Sequence, residues 1–209
     1  MKRPIVILLL VCSISTSFAQ INLSKRWSYS FWVGPVFFLS PENLSNFLPN
    51  GLALNNRLVY MIDKNIGIVP FDLAYARWNV DQANLNYQLL MSPGFDPSFL
   101  LFDTEVSFYD ITYAPGLLVI GGSNKIRGFG QLGLGVAHQK LAMTVREPTT
   151  GIKIGFGDSH NDFTMQFSGG VEAKVTNSMS ISGMTRYAII IRSKTAQYVG
   201  FWGGLKTSF

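Results

Sequence analysis

Beyond residue 26, apolar and polar positions alternate with a period of two through most of the chain, which is the spacing of β-strands with one greasy and one polar face. Trp27, Tyr29, Phe31, Val33 and Phe37 alternate with Ser28, Ser30, Trp32 and Gly34. Leu52, Leu54, Leu58 and Tyr60 alternate with Ala53, Asn55, Arg57 and Val59. In the third run Val69, Phe71, Leu73 and Tyr75 share the apolar face, against Pro70, Asp72 and Ala74. Five more runs follow, centred on Tyr109–Leu117, Leu132–Val136, Phe163–Val175, Ile181–Ile191 and Val199–Phe209. The pattern predicts eight strands and no helical period of comparable length.

The connections sort into two kinds. Asp63-Lys64-Asn65, the stretch Gly121 to Lys125, and Thr176-Asn177-Ser178 are short and rich in turn formers. Ser40–Gly51, Asn79–Thr104 and Val145–Asp162 are long, and Arg192–Ala196 is intermediate. Tight turns at one rim and long loops at the other are the habit of a transmembrane β-barrel.

The first residues read differently. Met1-Lys2-Arg3 is basic, Ile5 to Val11 is an unbroken apolar run, and Ser17-Phe18-Ala19 offers small residues where a signal peptidase cuts. Residues 1–19 are therefore expected to be a cleaved signal peptide and residues 20–209 the mature barrel domain. Lipidation at Cys12 is the rival reading, disfavoured by the bulky Val11 before it. Cleavage removes the only cysteine, so no disulfide or thiolate site is expected in the mature chain.

Composition narrows the class further. Only 14% of residues are charged and 13% are aromatic, unlike a typical soluble domain. The net charge of +5 falls to +3 when Lys2 and Arg3 leave, with bases and acids interspersed, so no nucleic-acid footprint is read. No stretch after residue 19 is apolar for the roughly 18 residues of a spanning helix. A secreted chain of this kind is either a soluble, lipocalin-like β-domain or a barrel in lipid. The polar face favours lipid, because it carries glycine and serine where a water-facing surface would carry lysine and glutamate.

The chain closes on Tyr198-Val199-Gly200-Phe201-Trp202-Gly203-Gly204-Leu205-Lys206-Thr207-Ser208-Phe209. This ending resembles the C-terminal insertion signal of bacterial outer-membrane barrels, with Phe201, Leu205 and Phe209 at alternate places; Gly203 and Thr207 depart from the ideal. Ile126 to Val136, with glycine at alternate positions, looks like the fifth strand of the small OmpA/OmpX/OmpW-like barrels, and Gly169 to Val175 and Thr185-Arg186-Tyr187 are similar to the next two. The resemblance spans about residues 25–209. It implies an eight-stranded antiparallel transmembrane β-barrel, an up-and-down meander in the outer membrane with both termini on the periplasmic side. Outer-membrane lipid and the barrel-assembly machinery, reached through the last strand, are the implied partners.

The alternation points Arg57, Asp72, Asp110, Arg127, Glu172, Lys174, Arg186 and Lys206 inward. An eight-stranded barrel is only wide enough for side chains, so these charges are expected to pair as a lumen plug, with Arg186 joining Glu172 and Asp110. Asp158-Ser159-His160-Asn161-Asp162 gathers a hydroxyl, an imidazole and carboxylates on a long loop, but sequence neighbours seldom make a triad. Tyr87, Leu89, Leu90, Phe95 and Phe99 make the longest loop unusually apolar, a candidate partner contact. No catalytic set, metal site or cofactor is expected. The leading expectation is a non-enzymatic structural or interaction protein, including an accessory subunit bound to another envelope protein. A small-solute channel and a lipid A-modifying enzyme are the alternatives.

Overall fold

A computed structural model describes residues 26–41, 45–46, 48–91, 103–123, 125–146, 153–192 and 195–209. The expected signal peptide and Cys12 lie outside these residues. Nine strands and one helix are described: β1 (Trp27–Ser40), β2 (Gly51–Met61), β3 (Ile66–Trp78), α1 (Gln82–Leu90), β4 (Asp103–Tyr113), β5 (Gly116–Gly122), β6 (Ile126–Arg146), β7 (Lys153–Lys174), β8 (Met179–Ile191) and β9 (Ala196–Ser208).

All pairings are antiparallel and the sheet closes on itself. The order runs β2-β1-β9-β8-β7-β6-β4-β3, and β3 pairs back to β2. β4 and β5 are one stave broken at Ala114-Pro115, where proline offers no N–H to the ladder; both halves keep the same register on β6. Eight staves result, as the alternation predicts. The seam is β1 against β9, finished by Trp27 N–H donating to Phe209 O at 3.2 Å and Phe209 N–H donating to Trp27 O at 2.9 Å.

Outward positions such as Leu52, Tyr75, Leu117, Leu134, Phe167 and Leu205 are large, apolar and exposed. Their inward neighbours, including Asn55, Arg57, Asp72, Gln131 and Arg186, are buried. That inversion of a soluble protein's order is what lipid demands of a barrel exterior. Among the described residues no helix is long and apolar enough to cross a membrane.

One face assignment changes. Val69 is buried and faces in, whereas Pro70 and Phe71 both face out. The register against β2 slips between Leu58 and Tyr60, so Val69 and Pro70 together oppose Val59. This is a β-bulge at the residue that cannot donate to the ladder. The hydroxyl of Tyr113 donates to the Pro70 carbonyl at 2.9 Å, a partner the lipid could not supply.

Two loops are also more structured than their sequences imply. The Asn79–Thr104 connection contains α1, and most of Val145–Asp162 is the outer part of β7. Among the described residues, 153–162 of β7 pair with β6 alone, because β8 joins only from Phe163↔Ile191. The β6–β7 ribbon therefore stands about 30 Å beyond the last β8 partner, at roughly 3.3 Å per residue, with β4 flanking β6 up to Asp103↔Arg146. Its polarity inverts: on the lumen side it carries Leu141, Met143, Ile154 and Phe156, and on the outer side Lys140, Ser159, Arg146 and Lys153.

The bulge makes a sharp expectation about register. Deleting Pro70 should restore plain alternation to β3 and leave assembly intact, seen as the usual heat-modifiable band of a folded barrel on unboiled gels. Deleting Ala74 should abolish that band, since it forces Asp72 or the Ala76–Trp78 segment onto the wrong face.

Candidate functional site

The lumen is built in layers, each set by strand register. Arg57 and Asp72 are direct cross-strand partners on β2 and β3. Arg57 Nε donates to Asp72 Oδ2 at 3.1 Å, and Arg186 Nη2, arriving from β8, contacts both oxygens of the same carboxylate at 3.0 Å. Gln131 Nε2 donates to Oδ2 at 2.7 Å and Asn55 Nδ2 donates to Oδ1. Asp72 thus holds two guanidinium groups and two amides, with every member buried.

Aromatic rings complete this middle layer. The Arg57 guanidinium lies 5.2 Å from the Trp32 ring and 5.9 Å from Phe129, and Arg186 lies 5.3 Å from Trp202. Cation–π attraction is strongest where water is excluded, as here. The inward glycines of β9 allow it: a Cβ on Gly200 would strike the Trp202 indole, and one on Gly204 the Trp32 ring.

Towards the short turns, Glu172 collects Arg127 Nη2 at 2.7 Å and Lys206 Nζ at 2.8 Å. Arg127 is its direct partner across β6 and β7, and Lys206 reaches it across β8. Lys174 faces the same mouth and is exposed, with no ion pair among the described residues. A cavity of about 10 Å³ lies between this end and the middle layer, lined by Trp32, Arg57, Phe129 and Lys206 among others. That is the limit for a single water molecule.

Towards the long loops, Asp110 accepts from Thr112 Oγ1 at 2.7 Å and has Gln139 opposite it. Above it Phe38, Trp78, Phe108 and Tyr198 stack, with centroid separations from 4.2 Å for Phe38–Trp78 to 6.3 Å for Phe38–Tyr198.

All eight charged positions therefore face the barrel interior or its mouth, as the alternation implies, but the partnerships differ. Arg186 binds Asp72, not Glu172 or Asp110: the register sets Arg186 opposite Ser168 and Glu172 opposite Ser182. Asp110 is buried yet has no cation within ion-pair distance among the described residues, so not every lumen charge is paired. Gln131, Asn55, Trp32 and Trp202 are the members a search for charges misses. Asn55, Gln131 and Trp202 are inward positions of strands that also carry inward charges, whereas Trp32 sits on β1, which carries none.

Outside the lumen, Phe201 and Leu205 point to lipid and Phe209 closes the seam. On the ribbon, His160 Nε2 meets Asp158 Oδ2 at 2.7 Å, and His138 Nδ1 meets Asn161 Oδ1 at 2.8 Å. The pentapeptide is strand instead of loop, and Ser159, one residue from His160, projects from the opposite face. In the long connection Tyr87, Leu89 and Leu90 belong to α1, with Tyr87 and Leu90 exposed. Phe95 and Phe99 lie outside the described residues.

No family model and no curated protein matches the sequence. Solved structures do match the fold. Neisserial surface protein A is 14% identical with a TM-score of 0.51, covering 89% of this chain and 98% of that one. Ail, the attachment invasion locus protein of Yersinia pestis, solved with the heparin analogue sucrose octasulfate, is 12% identical with a TM-score of 0.50, covering 88% and 99%. A major outer membrane protein of Thermus thermophilus is 9% identical with a TM-score of 0.52, again covering 88% and 99%.

The two-to-one arrangement at Asp72 ranks substitutions. Asp72→Asn leaves two buried guanidiniums without a counter-charge and should cost about 3–5 kcal/mol. Arg186→Met leaves a neutral Arg57–Asp72 pair and should cost clearly less. Urea unfolding of the refolded barrel measures both; equal, small shifts would mean a lumen filled by water.

Proposed function

We propose that this chain, an eight-stranded barrel of the bacterial outer membrane with the OmpA/OmpX/OmpW-like fold, is a non-enzymatic interaction protein whose contact element is the β6–β7 ribbon. The observation that carries this reading is the ribbon's construction. Among the described residues, 153–162 offer an edge strand paired on one side only, beside an apolar face where Phe156 is 59% exposed and Ile154 is 54% exposed. Exposed edges invite a further strand, and apolar side chains at alternate positions select which one. Ile154 and Phe156 belong to neither hydrophobic cluster of the described barrel.

The closed lumen supports the same reading over a channel. A solute would have to part the Asp72 cluster, its stacked rings and the aromatic layer above. Ser159 turns away from His160, which weighs against a hydroxyl–imidazole–carboxylate set on the ribbon. One solved relative in fold is named a surface protein and another an attachment invasion protein, roles compatible with an outward contact element.

A photo-crosslinking amino acid at Phe156 should give a discrete protein adduct in intact cells, and the same residue at lipid-facing Leu134 should not. The reading fails if Phe156 gives no adduct while the purified protein conducts ions in planar bilayers, where we expect no conductance. The assembly machinery is the second expected partner, reached through Phe201, Leu205 and Phe209. Deleting Phe209 should cut the heat-modifiable fraction severely in cells, where the machinery reads the last strand. Refolding into detergent should suffer less, since it needs no machinery, although it loses the two seam bonds to Trp27.

A further inference from the structure

The short-turn end of the barrel holds a pocket of about 180 Å³ whose chemistry the lumen layers do not use. Arg26, Arg127, Lys174 and Lys206 line it, together with the hydroxyls of Ser28 and Ser180. Glu172 is the acid beneath them, and it is already held by Arg127 and Lys206. The remaining two bases are unmatched. Lys174 has no ion pair among the described residues, and Arg26 makes one long contact, 3.5 Å to the Tyr60 hydroxyl. Four positive side chains against one carboxylate leave the pocket strongly cationic.

Nor does the neighbouring acid correct the imbalance. Asp63 lies in the adjoining recess with Arg26, Lys64 and Arg127. Its carboxylate accepts from the amides of Asn65 at 2.6 Å and Ile66 at 2.8 Å and stays anionic, but Lys64 stands in the same recess, so the local balance remains positive. Those two amide hydrogen bonds hold it below the usual carboxylate range.

A second observation points to a ligand. Ser28 is 3% exposed, lines the pocket, and its Oγ has no hydrogen-bond partner among the described residues. A buried hydroxyl without a partner is costly unless something else supplies one. Ser28, Ser180 and Lys206 are all buried, so this is a recess with fixed walls and not a sprinkling of surface lysines.

Size and position narrow the occupant. The volume is below the 300–1,000 Å³ or so of pockets that enclose drug-sized ligands, although it adjoins a recess that shares Arg26, Met61 and Arg127. A compact anion fits. Bases converging from several directions, with hydroxyl donors between them, suit a tetrahedral anion with several oxygens better than a planar carboxylate. The Trp27–Tyr60 ring pair, 4.9 Å apart at this rim, marks the level of the lipid headgroups.

We propose that the turn-end pocket is a binding site for a phosphate-type oxyanion, carried either by a soluble phosphate monoester or by the headgroup of an anionic phospholipid. Arg26 and Lys174 supply the unneutralised charge, Arg127 and Lys206 orient the site through Glu172, and Ser28 donates from the wall.

The test uses the refolded full-length barrel and the double variant Arg26→Gln/Lys174→Gln, two exposed positions outside the ion-pair network. Glycerol 3-phosphate is titrated calorimetrically in neutral detergent, with acetate as the planar anion. Phosphatidylglycerol retention is followed by native mass spectrometry from mixed nanodiscs. Saturable glycerol 3-phosphate binding, at least tenfold weaker in the double variant and several-fold weaker in Ser28→Ala, supports the site with a soluble source. Retention of phosphatidylglycerol by wild type but not by the double variant, without glycerol 3-phosphate binding, supports it with a lipid source. Binding of neither ligand overturns the proposal, as does acetate binding equally well. It is also overturned if the double variant binds like wild type, or if Lys153→Gln, far away on the ribbon, weakens binding as much as the double variant does.

Discussion

Every backbone N–H and C=O that crosses lipid must find its partner inside the protein, and this one requirement organises the molecule. It forces the sheet to close, which makes the β1–β9 seam as indispensable as any hairpin. Closing at eight staves leaves a bore that only side chains can occupy. It also explains how local faults are handled. Where Pro70 bulges and Pro115 interrupts the fourth stave, nearby groups take up the freed backbone: Tyr113 donates to Pro70 O, and Ala114 N–H donates to Asp72 O at 2.9 Å.

Within that bore the polar residues cannot be solvated, so they solvate one another. Asp72 stands at the centre with two guanidiniums, two amides and, behind them, the rings of Trp32, Phe129 and Trp202. Cation–π contacts with these rings and the shared carboxylate together offset the repulsion between Arg57 and Arg186. The interior is thus a stack of cross-braces tying β2, β3, β6 and β8 together. It does the job that a hydrophobic core does in a soluble domain.

The fold is legible because lipid and lumen impose an alternation with a period of two on each stave. The inward charges follow from the same count. Their pairing does not, because facing inward says nothing about height: Arg186 and Glu172 share a hairpin yet sit at different levels. The bulge is invisible in the sequence because Val69 is apolar and suits either face; only the packing against Val59, Leu118 and Ile120 shows that it turns inward. The ribbon is hidden for a related reason. Gly155, Gly157, Asp158 and Asn161 look like loop residues, and pairing with β6 makes them strand.

The ribbon's reversed polarity has a mechanical consequence. Lys140, Arg146 and Lys153 project from the same face that carries Leu134 and Val136 lower down. Drawing the barrel deeper would drag those cations into hydrocarbon, at about 2–4 kcal/mol for each that reached the midplane. Pushing it outward would strip Leu134, Val136 and their neighbours of lipid. The hairpin therefore behaves as a draught mark and a stop, fixing how far the cylinder stands out of the membrane. The height at which its greasy inner face is presented is set by these outward cations and the apolar band below them.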